Sequence, residues 1–117
     1  MKEATQQKIQ HQAELFMDTG EHVQAATNGS SSPWAYWLLG AVTYLGVGRA
    51  VLVTDKKVYV CKRTAAGLGS VIARYPRDSV KLALQGPQLH VGADQTIYVP
   101  PGRTKDARAV VQAARAH

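Results

Sequence analysis

Two β-rich runs joined by a tight polar turn constrain the fold of this chain more than any other feature. The runs are Ala50–Val53 and Val58–Cys61, and Thr54–Lys57 lies between them. Apolar β-branched runs fit a pleated strand surface, and a short polar turn between two of them is typical of an antiparallel hairpin. The sequence therefore predicts a β-hairpin from Arg49 to Arg63. Its one cysteine, Cys61, is predicted to be a small buried hydrophobe.

Further short β-rich segments lie on both sides of this hairpin. A first strand is predicted at residues 22–27, before a loop of sequence Asn-Gly-Ser-Ser-Ser-Pro. After the hairpin, strands are predicted at 70–75 and 79–84. A last hairpin is predicted from the runs 89–91 and 96–99, which flank a turn that begins with glycine. This order predicts about seven antiparallel strands.

Amphipathic patterns predict one helix before the strands and one after them. The first covers residues 3–19 and is stopped by Gly20, and the second covers residues 104–116. Apolar residues recur in both at spacings of three and four, which places them on one face of each helix. These residues are Ile9, Ala13, Phe16 and Met17 in the first helix, and Ala107, Val110, Val111 and Ala114 in the second.

Length and composition limit the class of protein. The 117 residues suffice for one domain with one core, and 45% of them are hydrophobic, which favours a folded globule over disorder. A single cysteine allows no internal disulfide, and the polar N-terminus lacks the apolar stretch of a signal peptide, so a cytoplasmic location is expected. The net charge of +6 favours acidic partners such as anionic lipid, nucleic acid or an acidic protein face.

The order of seven strands and a C-terminal helix resembles the bacterial pleckstrin-homology-like (PH-like) domain family. The matching segments are RAVLVTDKKVYVCKR, VIARYPRDSV and QLHVGADQTIYVP, which lie within residues 21–117. The resemblance implies an α+β, mostly β fold: a PH-like barrel of two antiparallel sheets, capped by the C-terminal helix. Residues 1–20 are then an extra N-terminal helix, and residues 33–48 form an apolar insert in the domain.

This resemblance implies a binding scaffold rather than a reaction. Pleckstrin-homology domains of eukaryotes often hold phosphoinositides through Lys and Arg between their first two strands. The present sequence departs from that pattern, because residues 28–48 contain neither Lys nor Arg. We therefore transfer no phosphoinositide site to this chain.

The insert is the first candidate contact surface. It is uncharged and too short for a membrane-spanning helix, which needs about 20 apolar residues. Its aromatic rings are of the kind found at membrane interfaces. Three interpretations remain open, namely a membrane or partner contact, packing on the domain itself, and burial between identical chains. The candidate contact residues are Trp34, Tyr36, Trp37 and Leu38.

Basic residues of the central hairpin are the second candidate surface. Lys56 and Lys57 lie in its turn, and Lys62 and Arg63 follow its second strand. These side chains could attract a phosphate-rich surface. The alternative is ordinary solvated charge, because basic residues scattered along a sequence rarely converge.

Sequence motifs of catalysis are missing. The four histidines have no metal-ligand spacing, and no nucleophile elbow, phosphate-binding glycine loop or zinc-protease motif occurs. We therefore expect no enzyme, no metal and no cofactor. The sequence predicts a bacterial or phage binding module, with no transmembrane helix, that contacts a protein partner or an anionic membrane surface, peripherally at its inner face. The alternatives are a self-assembling homo-oligomer and, third, a small nucleic-acid-binding protein.

Overall fold

The computed structural model describes residues 3–31, 48–64, 67–99, 102 and 104–115, with side chains from residue 7 onward. In these ranges the chain is mostly β-structure, with seven strands and two helices. The order of elements is α1 (Glu3–Ala13), β1 (Val23–Ser30), β2 (Gly48–Thr54), β3 (Lys57–Thr64), β4 (Gly67–Pro76), β5 (Leu82–Gln85), β6 (Gln88–Val91), β7 (Gln95–Tyr98) and α2 (Thr104–Arg115). The predicted strand number and the closing helix are confirmed.

All seven strands are hydrogen-bonded in the single order β4-β3-β2-β1-β7-β6-β5, and every pair is antiparallel. The junction between β1 and β7 is narrow, because it consists of one residue pair, Ser30 with Tyr98. We call the end of the sheet at this pair, where β1 stops and β2 starts, the insert end. The opposite end contains the β2–β3 turn at Asp55 and Lys56, and we call it the hairpin-tip end.

The β2–β3 hairpin is buried on both of its faces. Val51 and Val60 lie opposite each other and belong to one apolar cluster, whereas Leu52 and Tyr59, the next pair along the ladder, belong to the other. Successive residues of a strand point to opposite faces, so a hairpin without polar alternation must be covered twice. The predicted burial of Cys61 is confirmed, because its side chain is fully buried in the second cluster.

Helix α2 covers the first face. Its buried residues are Ala107, Val110 and Val111, and they join valines of the central hairpin with apolar residues of β5, β6 and β7 in one core. The helix packs against β1, β2 and β5. Because β5 is an edge strand and β2 is central, the sheet must curve around α2 to bring both into contact with it.

Helix α1 covers the second face and is shorter than predicted. The apolar stripe itself is confirmed, because Ala13 is buried in this cluster and Ile9, Phe16 and Met17 pack against it. The helix ends at Ala13 instead of residue 19, where the amides of Phe16 and Met17 both bond to the Ala13 carbonyl at 3.0 Å. This turn brings the Phe16 ring to 5.0 Å from that of Tyr59.

Strand β1 continues through residues that the sequence assigned to a loop. It runs to Ser30 instead of residue 27, and Asn28 and Gly29 pair with Ala50 and Arg49 of β2. A Cβ atom on Gly29 would lie 2.5 Å from Ile97 Cγ2. The glycine therefore serves close packing of β1 on β7 and does not form a turn.

Two later strands also differ from the prediction. Strand β4 is longer than predicted, because it starts at Gly67 instead of residue 70 and ends at Pro76 instead of residue 75. Strand β5 starts at Leu82 instead of residue 79, because the amides of Ser79 and Val80 both bond to the Pro76 carbonyl in a turn. Val80 in this turn and Leu82 and Leu84 of β5 nevertheless all contact the same core.

A buried arginine links the sheet to α2. Arg77 is 6% exposed, and its Nη1 donates to the Thr54 carbonyl at 3.1 Å. Its Nη2 donates to the Ala113 carbonyl in the last turn of α2. A cation at this position satisfies a carbonyl that the helix leaves unpaired and opposes the negative end of the helix dipole.

Replacing this arginine should destabilise the fold measurably. We expect Arg77→Ala to lower the free energy of unfolding by about 1.5–3 kcal/mol, because buried carbonyls lose a charged donor. The matched control is Arg74→Ala, since Arg74 is an exposed arginine of β4; its effect should stay within about 0.5 kcal/mol. Urea unfolding monitored by circular dichroism measures both variants. Equal stability of the two variants would contradict the linking role of Arg77.

Candidate functional site

The insert end collects basic side chains around the two strand ends from which the insert departs. Ser30, the last residue of β1, pairs with Gly48, the first residue of β2. Arg49 follows directly and pairs with Lys62 of β3, so both lie on one face of the sheet. Burial lowers the pKa of Arg49 from its ordinary value, but an arginine stays charged in proteins.

The structure divides the four predicted basic residues into two pairs. Lys62 is exposed and Arg63 is half-buried at the insert end. Lys56 is exposed in the β2–β3 turn, and Lys57 forms an ion pair with Asp18, with 3.4 Å between Nζ and Oδ2. Five residues of one strand separate Lys57 from Lys62, a distance of about 17 Å. The four residues therefore do not form one patch.

Acidic side chains lie preferentially at the other end of the sheet. Asp106, in the first turn of α2, is at the insert end. The hairpin-tip end carries four acids that belong to the α1–β1 connection, the β2–β3 turn and the turn after β4. These acids are Asp18, Glu21, Asp55 and Asp78. Asp94, in the β6–β7 turn, lies four residues before Tyr98 of the insert end and bonds to Tyr75 near the end of β4. The described part of the molecule is consequently polarised, with a basic insert end and a mixed hairpin-tip end.

A buried glutamate that sequence reasoning missed organises the hairpin-tip end. Glu21 is 2% exposed, and its carboxyl group accepts hydrogen bonds from the Tyr59 hydroxyl at 3.0 Å, the Asp18 amide at 3.0 Å and the Thr54 hydroxyl. Burial raises the pKa of Tyr59 most, and the hydrogen bond from its hydroxyl to Glu21 raises it further. The Gln10 side chain binds the Glu21 carbonyl at 2.9 Å and thereby attaches α1 to the entrance of β1. Through these bonds Glu21 connects α1 and the α1–β1 connection to the β2–β3 hairpin.

A cleft of about 500 Å³ opens at the same end, between the end of β4 and the β6–β7 turn. The Tyr75 hydroxyl donates to Asp94 Oδ1 at 2.5 Å across it. Burial, then the bond to Asp94, raises the pKa of Tyr75 to about 12, so the hydroxyl remains a donor at neutral pH. Gly92 has φ +64°, and a Cβ atom there would lie 3.1 Å from the Tyr75 ring.

Neither a metal site nor a membrane-spanning helix is found in the part of the chain that the structure describes. The described ranges contain no group of three or more His, Cys, Asp or Glu residues placed to hold a metal ion. Among the helices described, none has the length and apolar character to cross a bilayer. The candidate contact residues Trp34, Tyr36, Trp37 and Leu38 lie outside the described residues.

Comparison of the chain with models of known protein families, with curated proteins and with solved structures gives no match.

Gly86 and Gly92 have the same backbone requirement, but only Gly92 contacts Tyr75. Replacing Gly92 by alanine should therefore lower the stability of the fold more than replacing Gly86. Gly86 and Gly92 both have positive φ, but a Cβ atom on Gly86 would meet nothing within 4 Å. We expect Gly86→Ala to cost about 1–2 kcal/mol of stability from backbone strain alone. Gly92→Ala should cost more and shift the NMR signals of Tyr75, because the ring must move. Equal urea midpoints with unchanged Tyr75 signals would show that the wall of the cleft is not tightly packed.

Burial of Cys61 predicts that its thiol is unreactive in the folded protein. Desolvation raises the pKa of Cys61 to about 12, so at pH 8 only about one thiol in 10⁴ is ionised, and the thiolate is the reactive form. We expect a thiol-specific reagent to label the native protein at least about 100-fold more slowly than the protein in guanidinium chloride. Similar rates in the two states would show that α1 does not cover this face.

Proposed function

We propose that this chain is a non-enzymatic PH-like binding module that docks its insert end on an anionic membrane surface. The proposal is supported above all by the position of Lys62 and Arg63. These two basic residues lie beside the end of β1 and the start of β2, and the uncharged insert connects those two strands in the sequence. Apolar and basic groups at one site match the two layers of such a surface, an acyl interface and anionic headgroups.

The order of elements supports the PH-like interpretation. Seven antiparallel strands precede one amphipathic helix, and that helix packs on central strands and on the edge strand β5. The single pair that joins β1 to β7 allows strands β1–β4 and β5–β7 to turn relative to each other. We propose that these two groups are the two sheets of a PH-like barrel, with α2 as its cap.

The polarity of charge supports one orientation on the membrane. Lys62 and Arg63 would face the anionic headgroups, and Asp55 and Asp78 at the hairpin-tip end would point away from them. A basic residue near an anionic leaflet contributes about 1 kcal/mol, and this attraction falls off within a Debye length of about 8 Å at physiological salt. Lys56 and Lys57 lie beyond that range from the insert end and are not part of the docking surface.

The sequence of the insert supplies the second half of the contact. Residues 32–47 contain no charged residue, and Trp34, Tyr36 and Trp37 have the amphipathic rings that concentrate at membrane interfaces. One apolar or one basic element alone binds a membrane weakly and reversibly, whereas the two together give stable attachment. We place the module at the cytoplasmic face, where the anionic lipids are concentrated.

Two charge-neutralising variants test the docking surface directly. We expect Lys62→Gln/Arg63→Gln to bind vesicles of phosphatidylserine and phosphatidylcholine about 30-fold more weakly than the unmodified chain, since two charges contribute about 2 kcal/mol. The matched control, Lys56→Gln/Arg115→Gln, removes the same charge from exposed residues at the hairpin-tip end and should bind normally. Co-sedimentation at 50 mM and 150 mM salt measures all three proteins.

The same assay contains the results that would contradict the proposal. Equal losses in both double variants would indicate attraction by net charge without a defined surface. Absence of binding at low salt, with the unmodified chain and Trp37→Ala behaving alike, would remove the membrane role. If light scattering then shows an oligomer, the alternative of self-assembly is favoured instead.

A further inference from the structure

We propose that the cleft at the hairpin-tip end is a binding site for a small zwitterion with an ammonium and a carboxylate group, such as an amino acid or a dipeptide. The inference goes beyond the proposed docking of the insert end and does not rest on it. Its basis is that one cleft is lined by two opposite charges that do not pair with each other, on walls held in place by hydrogen bonds.

Hydrogen bonds fix the three walls of the cleft relative to one another. The Gly92 amide donates to the Lys81 carbonyl at 2.9 Å and joins the β6–β7 turn to the segment before β5. The Val80 amide donates to the Pro76 carbonyl at 3.2 Å, and the Tyr75–Asp94 bond closes the third side. Preformed walls reduce the entropy that is lost when a ligand binds.

The charges on these walls are available to a ligand. Lys81 and Asp94 are both exposed and line the same cleft. Within the described residues neither of them takes part in an ion pair. Tyr75 occupies Asp94 Oδ1, which leaves Oδ2 to accept a hydrogen bond from an ammonium group. Lys81 has three N–H donors for a carboxylate.

The remaining surface of the cleft suits an aliphatic side chain. Pro76, Val80 and Ala93 contribute apolar atoms to its lining. The volume of about 500 Å³ lies within the usual range of small-ligand sites, about 300–1,000 Å³. An aliphatic amino acid or dipeptide would place its side chain on this lining, its ammonium at Asp94 and its carboxylate at Lys81.

Titration of the full-length ¹⁵N-labelled chain with L-leucine and L-alanyl-L-leucine tests the site. We expect saturable shifts of the amide signals of Lys81, Gly92, Ala93 and Asp94. N-acetyl-L-leucine and L-leucine amide, which each lack one charge, should bind about fivefold to tenfold more weakly. Whichever zwitterion binds more tightly identifies the source as the free amino acid or the peptide.

Three variants separate the site from general effects. Asp94→Asn keeps an acceptor for the Tyr75 hydroxyl, and Lys81→Met keeps the length of the side chain, so both should fold normally and bind about fivefold to tenfold more weakly. Lys56→Met, an exposed lysine outside the cleft, should bind as the unmodified chain does. Absence of saturable shifts, equal binding of the ligands with one charge, or unchanged binding by Asp94→Asn and Lys81→Met would each overturn the proposal.

Discussion

The structure depends on burial of the β2–β3 hairpin from both sides. Val51, Val53, Val58 and Val60 support α2, while Leu52, Tyr59 and Cys61 support α1. Full burial of a valine or leucine contributes about 1.5–3 kcal/mol, so this hairpin supplies much of the apolar free energy of a small domain. Neither helix could remain folded in water without that surface, because helices of 11 and 12 residues are marginal alone.

The two-sided core also explains where the chain buries polar groups. Glu21 joins the α1–β1 connection to the hairpin, and Arg77 joins the end of β2 to the last turn of α2. Both act at the hairpin-tip end, where the two helical layers reach the ends of the same strands. Buried groups that satisfy several partners fix one arrangement of the layers.

Local patterns in the sequence predicted the parts of the fold that local chemistry decides. The valine runs of the hairpin and the apolar stripe of α2 needed only the period of their own element. Asn28 and Gly29 were assigned to a loop because their local preference is for turns, but pairing with β2 and contact with Ile97 override it. Glu21 could not be identified, because its hydroxyl partners lie 33 and 38 residues away, and an isolated glutamate resembles a surface residue.

The candidate site shows the same limit in its basic residues. Lys56, Lys57, Lys62 and Arg63 are close in sequence, and proximity in sequence suggested one surface. Residues that are close in sequence lie far apart in a strand, because each residue advances the chain by about 3.3 Å. The eight residues of β3 therefore place its two ends at opposite edges of the domain. Charge at one edge can meet a surface while the other edge stays in solvent. Strand β3 therefore places Lys57 at the hairpin-tip end and Lys62 and Arg63 at the insert end.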